Sequence, residues 1–345
     1  MASKKTEDLL KLKKQIKEKT LSPLYVLYGE EDFLRDIYVR RIIECIPDGG
    51  FPEFNHIHLS GPDIPFAEYD DAWESFPMMT NKKLIHIKDS GIFSSKRVSG
   101  GASTEEKKEF WTEKLTRISD DTVVIFDESN VDKRSALYKA AVKAGTAVEF
   151  SYLSDADLVS WIIKQCLNAK KRIAKENAYY LVTMCDAGLG NINNELQKLL
   201  DFCDEEIYKT DIDRVVSKSM QVIVFELTDA IMEGKVNKAL STLSGLKTIK
   251  ESAFNILYLM LSSFEKMLHA KIMTSAPQSE IAAELGVAPF IARKYTDSAR
   301  GFSEDALVWM VRRVAELDLD IKEGRIDEWT ALEQYVTECI HFIKK

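Results

Sequence analysis

The sequence predicts an α/β domain built on a parallel sheet, followed by two all-helical segments. Over the first 150 residues, five short apolar runs alternate with helical stretches. After that point the strand signals stop, and apolar residues recur at helical spacing up to the end of the chain. Because a chain of 345 residues suits two or three domains, we place three of them, at 1–150, 151–215 and 216–345.

The first domain opens with a predicted amphipathic helix, in which Leu9, Leu12 and Ile16 share one face. A strand, a glycine turn and a helix up to Ile46 follow in SPLYVLYGEED and the residues after it. Further strands are predicted at 56–59, 83–87, 122–126 and 147–150, with helices around 66–75, 105–117 and 134–144. Continuous apolar strands that alternate with helices are typical of a parallel sheet covered on both faces. The Gly- and Ser-rich segment 91–106 predicts a surface loop.

The second domain is predicted to hold three helices. Ser154, followed by Asp155 and Asp157, is a good helix start. The two helices after it are expected at 175–187 and at about 193–203. From residue 216 onward apolar stripes predict a helical bundle, with Gly301 and Gly324 at helix ends.

Composition limits the classes of function. The chain has 47 Lys and Arg against 55 Asp and Glu, a net charge of −8, which argues against a protein that binds nucleic acid through bulk charge. Its five cysteines lie far apart, as expected of reduced thiols rather than of disulfides or a zinc site. No apolar run reaches the roughly 18 to 20 residues of a membrane helix. We therefore expect a cytoplasmic protein with no membrane partner.

A nucleotide site is not predicted. Phosphate binding in α/β domains needs a Gly-rich turn followed by Lys and Ser or Thr, whereas the turn after the first strand reads YGEEDFLRDI and places two carboxylates there. TVVIFDE at 122–128 looks like the metal-holding strand of an ATPase, but we favour Asp127 and Glu128 as caps of a turn or a helix start. We predict no catalytic residue, no cofactor and no metal, and a degenerate ATPase is the alternative.

Two other features allow a functional and a structural interpretation. His56 and His58 lie two apart on a strand and so share a face, but no third metal ligand is evident, and we favour structural roles. Residues 279–300 have the layout of a DNA-reading helix-turn-helix. The second helix begins with apolar residues, among them Phe290 and Ile291, where a reader would carry polar ones. We favour bundle helices and keep a DNA-binding regulator as an alternative.

The segment AWESFPMMTNKKLIHI places Phe76, Met78 and Met79 between a short helix and the third strand. Methionine suits both core gaps and adaptable binding surfaces. Residue type alone favours core filling, with a plug for a partner's pocket as the alternative.

Several stretches, in this order, carry a resemblance to a known family: 23–36, 75–89, 132–140, 190–199, 283–295, 299–307 and 320–325. Together they resemble the delta subunits of the bacterial DNA polymerase III clamp loader, over nearly the whole chain. The resemblance implies an AAA+-like α/β domain without a phosphate loop, a small three-helix lid domain and a C-terminal helical collar domain for oligomerisation. It also implies no ATP hydrolysis, which agrees with Asn193 at the place where ATP-hydrolysing relatives carry a phosphate-sensing arginine.

The same resemblance implies a function, partners and a site. Such subunits bind and open the sliding clamp, the beta subunit, so that it can be loaded on primed DNA. They act in a hetero-pentamer with gamma/tau and delta-prime, meet primer-template DNA through the assembled complex, and belong to the polymerase holoenzyme without an activity of their own. The family places two adjacent bulky apolar residues, often Leu-Phe or Phe-Phe, in a pocket of the clamp. This assigns clamp binding to Met78 and Met79, with Phe76 as a further anchor.

Overall fold

The chain forms two compact units, Met1–Ser151 and Tyr152–Lys345, in a computed structural model that describes residues 4–94 and 104–343. Each unit buries its own set of apolar side chains. The finer division into three domains, with boundaries near 150 and 215, stays a prediction.

A five-stranded parallel sheet forms the centre of the first unit, in the order β2-β3-β4-β1-β5. The strands are β1 (Leu24–Tyr28), β2 (His56–Ser60), β3 (Lys83–Lys88), β4 (Thr122–Glu128) and β5 (Thr146–Glu149). In β1 all five residues are buried, as the continuous run LYVLY predicts. Val26 of β1 pairs with Phe126 on one side and with Ala147 on the other. All five predicted strands are confirmed.

Helices cover both faces of this sheet. They are α1 (Lys4–Glu18), α2 (Asp32–Ile43), α3 (Pro52–Asn55), α4 (Phe66–Glu74), α5 (Thr104–Thr116) and α6 (Ala136–Ala144). One core joins α1 and α2 to the sheet through residues such as Leu12 and Ile42, and the other includes Tyr69 of α4 and Trp111 of α5. The short α3 was not predicted, because a single turn is too short to show a helical period.

The predicted loop at 91–106 is only partly covered, since residues 95–103 lie outside the described ranges. At its start Phe93 is fully buried in the core, and α5 begins at Thr104. The buried Phe93 therefore differs from the expected surface loop, whereas the start of α5 agrees with the helix predicted around 105–117.

The second unit is helical apart from one small pair of strands. Its elements are α7 (Asp155–Asn168), β6 (Arg172–Ile173), α8 (Lys175–Met184), α9 (Leu189–Phe202), β7 (Glu206–Ile207), α10 (Lys209–Val215), α11 (Met220–Met232), α12 (Val236–Thr248), α13 (Ala253–Ile272), α14 (Gln278–Leu285), α15 (Pro289–Ala299), α16 (Glu304–Lys322) and α17 (Glu328–Ile343). The Ser154 hydroxyl accepts a hydrogen bond from the Asp157 N–H, which confirms the predicted start of α7. None of the helices in the described residues is long and apolar enough to cross a membrane.

Candidate functional site

The two ends of the strands in the parallel sheet, called here its carboxyl edge and the opposite edge, have different roles. The order of its strands reverses beside β1, since the chain leaves β1 for β2 on one side and later passes from β4 to β5 on the other. In open α/β sheets, ligands usually bind at such a point, outside the carboxyl ends of the strands. The opposite edge receives the loops that lead into the strands, including residues 75–82 before β3.

An ion pair occupies the carboxyl edge between β1 and β4. Arg35 of α2 places its Nε 2.8 Å from Asp127 Oδ1, and both side chains are almost fully buried. The guanidinium also donates hydrogen bonds to the backbone carbonyls of Gly29 and Glu128. Burial acts to raise the pKa of Asp127, but His86, Arg35 and Lys88 outweigh it and hold that pKa below its usual value. An ion pair of the protein thus lies at the end of the sheet where ligands usually bind in such folds.

The backbone of the turn after β1 is engaged as well. The Gly29 N–H donates to the Glu128 carbonyl at 3.2 Å, and the Glu31 N–H donates to the Phe150 carbonyl at 3.0 Å. A Cβ at Gly29 would lie 2.2 Å from the Phe150 oxygen, so the two chains approach too closely for any side chain. A phosphate cradle needs amides that point at the ligand, and these two point at carbonyls of the protein.

Asp127 and Glu128 were expected to cap a turn or a helix start; neither lies at a helix start, and only Glu128 caps a turn. Both lie inside β4 and are buried. Glu128 instead caps the turn after β3, where it accepts hydrogen bonds from the Ser90 hydroxyl and from the N–H groups of Ser90 and Gly91. Burial raises the pKa of Glu128 to about 7, although these hydrogen bonds oppose the rise.

The histidines form a different pair from the one expected. His56 bonds to the Ile46 carbonyl, with its Nε2 3.1 Å away. His58 meets His86 across the β2–β3 register, with Nδ1 to Nδ1 at 3.1 Å. Burial and the neighbouring imidazole of His86 lower the pKa of His58. Within residues 4–94 and 104–343, no group of three or more metal-ligating side chains is present.

The segment 279–300 has the predicted helix-turn-helix shape, with Gly286 in the left-handed conformation between α14 and α15. Phe290 and Ile291, near the start of α15, are buried in the second unit. The Arg293 guanidinium lies 3.2 Å from an Asp155 carboxylate oxygen, and Lys294 donates to the Thr183 carbonyl at 3.1 Å. The surface that a reader would present to DNA bases is therefore used for internal packing.

The loop between α4 and β3, residues 75–79, carries the apolar side chains singled out in the sequence. Phe76 is 84% exposed, Met79 is 81% exposed and Met78 is 42% exposed. The core-filling interpretation is therefore wrong for Met79. Phe54 of α3 is also exposed, at 54%, and was missed because α3 gives no periodic signal. The next residue, Asn55, donates a hydrogen bond to the Met78 carbonyl of this loop. Phe76, Met78 and Met79 thus expose apolar side chains from a single loop, and clustered exposed apolar side chains mark interaction surfaces.

Comparison with known proteins identifies the family. The model described as "DNA polymerase III, delta subunit" matches residues 25–151, and the model for its C-terminal domain matches residues 221–339. The chain belongs to the DNA polymerase III delta subunit family. It is similar to DNA polymerase III subunit delta of Bacillus subtilis, with 26% identity over 337 residues and 95% of each chain covered.

Solved structures give the same result. The DNA clamp loader delta protein of Bacillus subtilis matches with a TM-score of 0.73 and 25% identity, over 96% of this chain and 99% of that one. RuvB, the Holliday junction branch migration motor of Thermotoga maritima, reaches a TM-score of only 0.42 at 11% identity, over 86% of this chain and 85% of that one. The resemblance seen in the sequence and the fold class, α/β plus all-α with a parallel-sheet domain, are confirmed. The chain is a delta-family subunit with a clamp-loader role, in a complex with other loader subunits.

Proposed function

We propose that this subunit binds the sliding clamp and opens its ring so that the clamp can be loaded on primed DNA. The observation that carries the proposal is the exposed apolar loop, in which Phe76 and Met79 project into solvent between α4 and β3. These residues stand where the resemblance places the clamp-binding pair. Full burial of one such side chain in a partner's pocket is worth about 1.5–3 kcal/mol.

Ring opening requires more than tight binding. A ligand shifts an equilibrium only by its differential affinity for the two states, so the subunit must bind the open ring more tightly than the closed one. Two adjacent flexible methionines suit this task, because a thioether side chain adapts to a pocket that changes shape. Met78 and Met79 are the proposed anchors, with Phe76 beside them.

The proposed partners are the clamp and the other loader subunits, gamma/tau and delta-prime, in a cytoplasmic hetero-pentamer. Primer-template DNA is proposed to be reached through the assembled complex. The net charge of −8 supports this division of labour, since a chain that held DNA alone would carry a basic face.

We also propose that the subunit is not itself an ATPase and that ATP binding in neighbouring subunits controls its access to the clamp. The buried Arg35–Asp127 pair supports this, because it occupies the switch point of the sheet where a nucleotide would bind. The engaged amides of Gly29 and Glu31 support it further.

The test is binding to the organism's own clamp, measured by surface plasmon resonance with the full chain, with and without the other loader subunits. Replacing both Met78 and Met79 by Ala should weaken binding by more than about tenfold, because anchors of this kind dominate an interface. Leu10→Ala is a matched control, since Leu10 is also an exposed apolar residue of the first unit, at 57%. The thermal unfolding midpoint should stay unchanged. Unaltered binding by the double variant would exclude these methionines as the anchor.

Opening is measured separately, as release of the clamp from nicked circular DNA. The wild-type chain should accelerate release and the double methionine variant should not. Binding without accelerated release would contradict the opening step while leaving the contact in place.

A further inference from the structure

The backbone of the loop 75–79 is fixed from outside by a buried amide. Asn55 is fully buried. Its Nδ2 donates to the Met78 carbonyl and to the Asp48 carbonyl, both at 2.7 Å, and its Oδ1 accepts from the Met78 N–H at 2.7 Å. One side chain thus joins the loop to the segment before α3 through three hydrogen bonds.

A glycine supports the loop from the same segment. Gly49 has φ +60°, and a Cβ built on it would lie 2.9 Å from the Met78 carbonyl oxygen and 3.1 Å from that of Met79. Met79 itself has φ +57°, a left-handed conformation that a side-chain-bearing residue adopts only when its surroundings impose it. Close packing against Gly49 and the Asn55 hydrogen bonds are those surroundings.

A buried lysine fixes the other end of the loop. Lys83 is 1% exposed. Its ammonium donates to the carbonyls of Ala72 and Trp73, at 2.7 and 2.9 Å, and to the carbonyl of Ser75. A cation is stabilising at the carbonyl end of a helix, so Lys83 sets where α4 ends and where the loop departs.

We infer that Asn55, Gly49 and Lys83 are positioning residues, which hold the loop 75–79 in the conformation that the clamp pocket receives. This inference rests on the proposed function. Two buried polar side chains complete their hydrogen bonds on a loop whose own apolar side chains Phe76 and Met79 remain in solvent. Fixing a binding loop before contact removes the ordering cost from the association step. The loop therefore has its binding conformation before it contacts the clamp pocket.

The adjacent glycines provide a matched pair of variants. Gly49 and Gly50 both have positive φ, but a Cβ at Gly50 meets nothing within 4 Å. Gly49→Ala in the full chain should weaken clamp binding by about tenfold, because the ordering cost returns when the Met78–Met79 backbone is displaced. Gly50→Ala carries the same type of backbone strain and should leave clamp affinity within about twofold of wild type. Equal losses in the two variants would overturn the inference.

Two further measurements separate positioning from general stability. In a background in which Met78 and Met79 are both Ala, Gly49→Ala should change clamp affinity by less than about twofold, since it acts through the contact that these two side chains make. In the free chain, hydrogen exchange should show a protected Met78 amide, and Asn55→Ala, which removes the acceptor of the Met78 N–H, should speed its exchange. An unprotected Met78 amide in the wild-type chain would overturn the inference.

Failure of the proposed function gives a different pattern. It fails if the wild-type chain does not bind the clamp, and the inference then falls with it. Normal binding by a variant in which Met78 and Met79 are both Ala would exclude these methionines as the anchor and would overturn the inference alone. If Met79→Ala weakens binding while Gly49→Ala does not, the proposed function stands and the positioning role is wrong.

Discussion

Removing the buried Arg35 guanidinium should damage the first unit more than other substitutions at its carboxyl edge. Arg35→Met keeps an unbranched side chain but deletes the cation beside Asp127, whose side chain is fully buried. The other groups beside the carboxylate are more distant, with the Lys88 ammonium at 3.9 Å and the His86 imidazole Nε2 at 3.8 Å. The Gly29 and Glu128 carbonyls lose a donor at the same time.

The magnitude follows from the burial. Breaking a buried ion pair by removing one partner costs about 3–5 kcal/mol, because the other charge stays in a low-dielectric site. For a unit of this length, 1 kcal/mol corresponds to about 2–4 °C in the midpoint, so the transition of the first unit should fall by about 6–20 °C. Differential scanning calorimetry and urea denaturation of the full chain measure this loss.

A second substitution tests the cause. Adding Asp127→Asn to Arg35→Met removes the stranded charge and should recover at least about 1 kcal/mol, since an unpaired buried charge costs more than a neutral amide. The pKa of Asp127 is held below its usual value, so its ion-pair stabilisation is present above about pH 4 and is lost as the pH falls through the lowered pKa. The deficit of Arg35→Met should therefore shrink in acid. A single variant within about 1 kcal/mol of wild type, or a double variant less stable than the single, would refute the reasoning.

Three other outcomes follow from particular contacts. The Glu128 carboxyl should titrate near pH 7 in isotope-edited infrared spectra. Because its pKa is raised, its contribution to stability is full below about pH 4.5 and is lost as the pH rises through about 7. A titration midpoint near 4.5 would contradict this. Gly29→Ala should cost more than about 2 kcal/mol in unfolding free energy, because φ is +122° and the Phe150 oxygen would lie 2.2 Å from the new Cβ. Gly61→Ala, with φ +100° and open space around the new Cβ, should cost less. Equal losses would argue against the contact. Met79→Gly suits φ +57° and should keep or raise stability while clamp affinity falls as in Met79→Ala; retained affinity would show that the side chain is not an anchor.

The elements that sequence could predict are those with a long enough signal. The run LYVLY and its counterparts predicted five strands, and Ser154 predicted the start of α7. The order of the strands does not follow from hydrophobic periodicity, because periodicity reports which face is buried and not which strand is the neighbour. The pairing of His58 with His86 depends on the β2–β3 register and was missed for that reason.

The roles of individual residues likewise could be predicted only where the signal is local in the sequence. Asp127 and Glu128 were expected to cap a turn or a helix start because TVVIFDE is the fourth predicted strand, and not the third, which would hold a metal in an ATPase. Their partners, Arg35 and the turn at Ser90, are distant in the chain and became visible only with the fold. Asn55 bonds the backbone of a loop 23 residues away, and Lys83 bonds carbonyls at the end of α4, and no pattern of residue types reveals such roles.

The two edges of the sheet are therefore used for different purposes. At the carboxyl edge, where α/β folds usually bind ligands, Arg35 and Asp127 form a buried ion pair. The apolar loop lies at the opposite edge, before β3. Gly49, which packs against this loop, lies in the segment before α3. Substitutions at the first edge should lower stability while the folded fraction still binds the clamp. Substitutions of Phe76 and Met79 at the second should lower clamp affinity with little loss of stability, since these side chains are already in solvent.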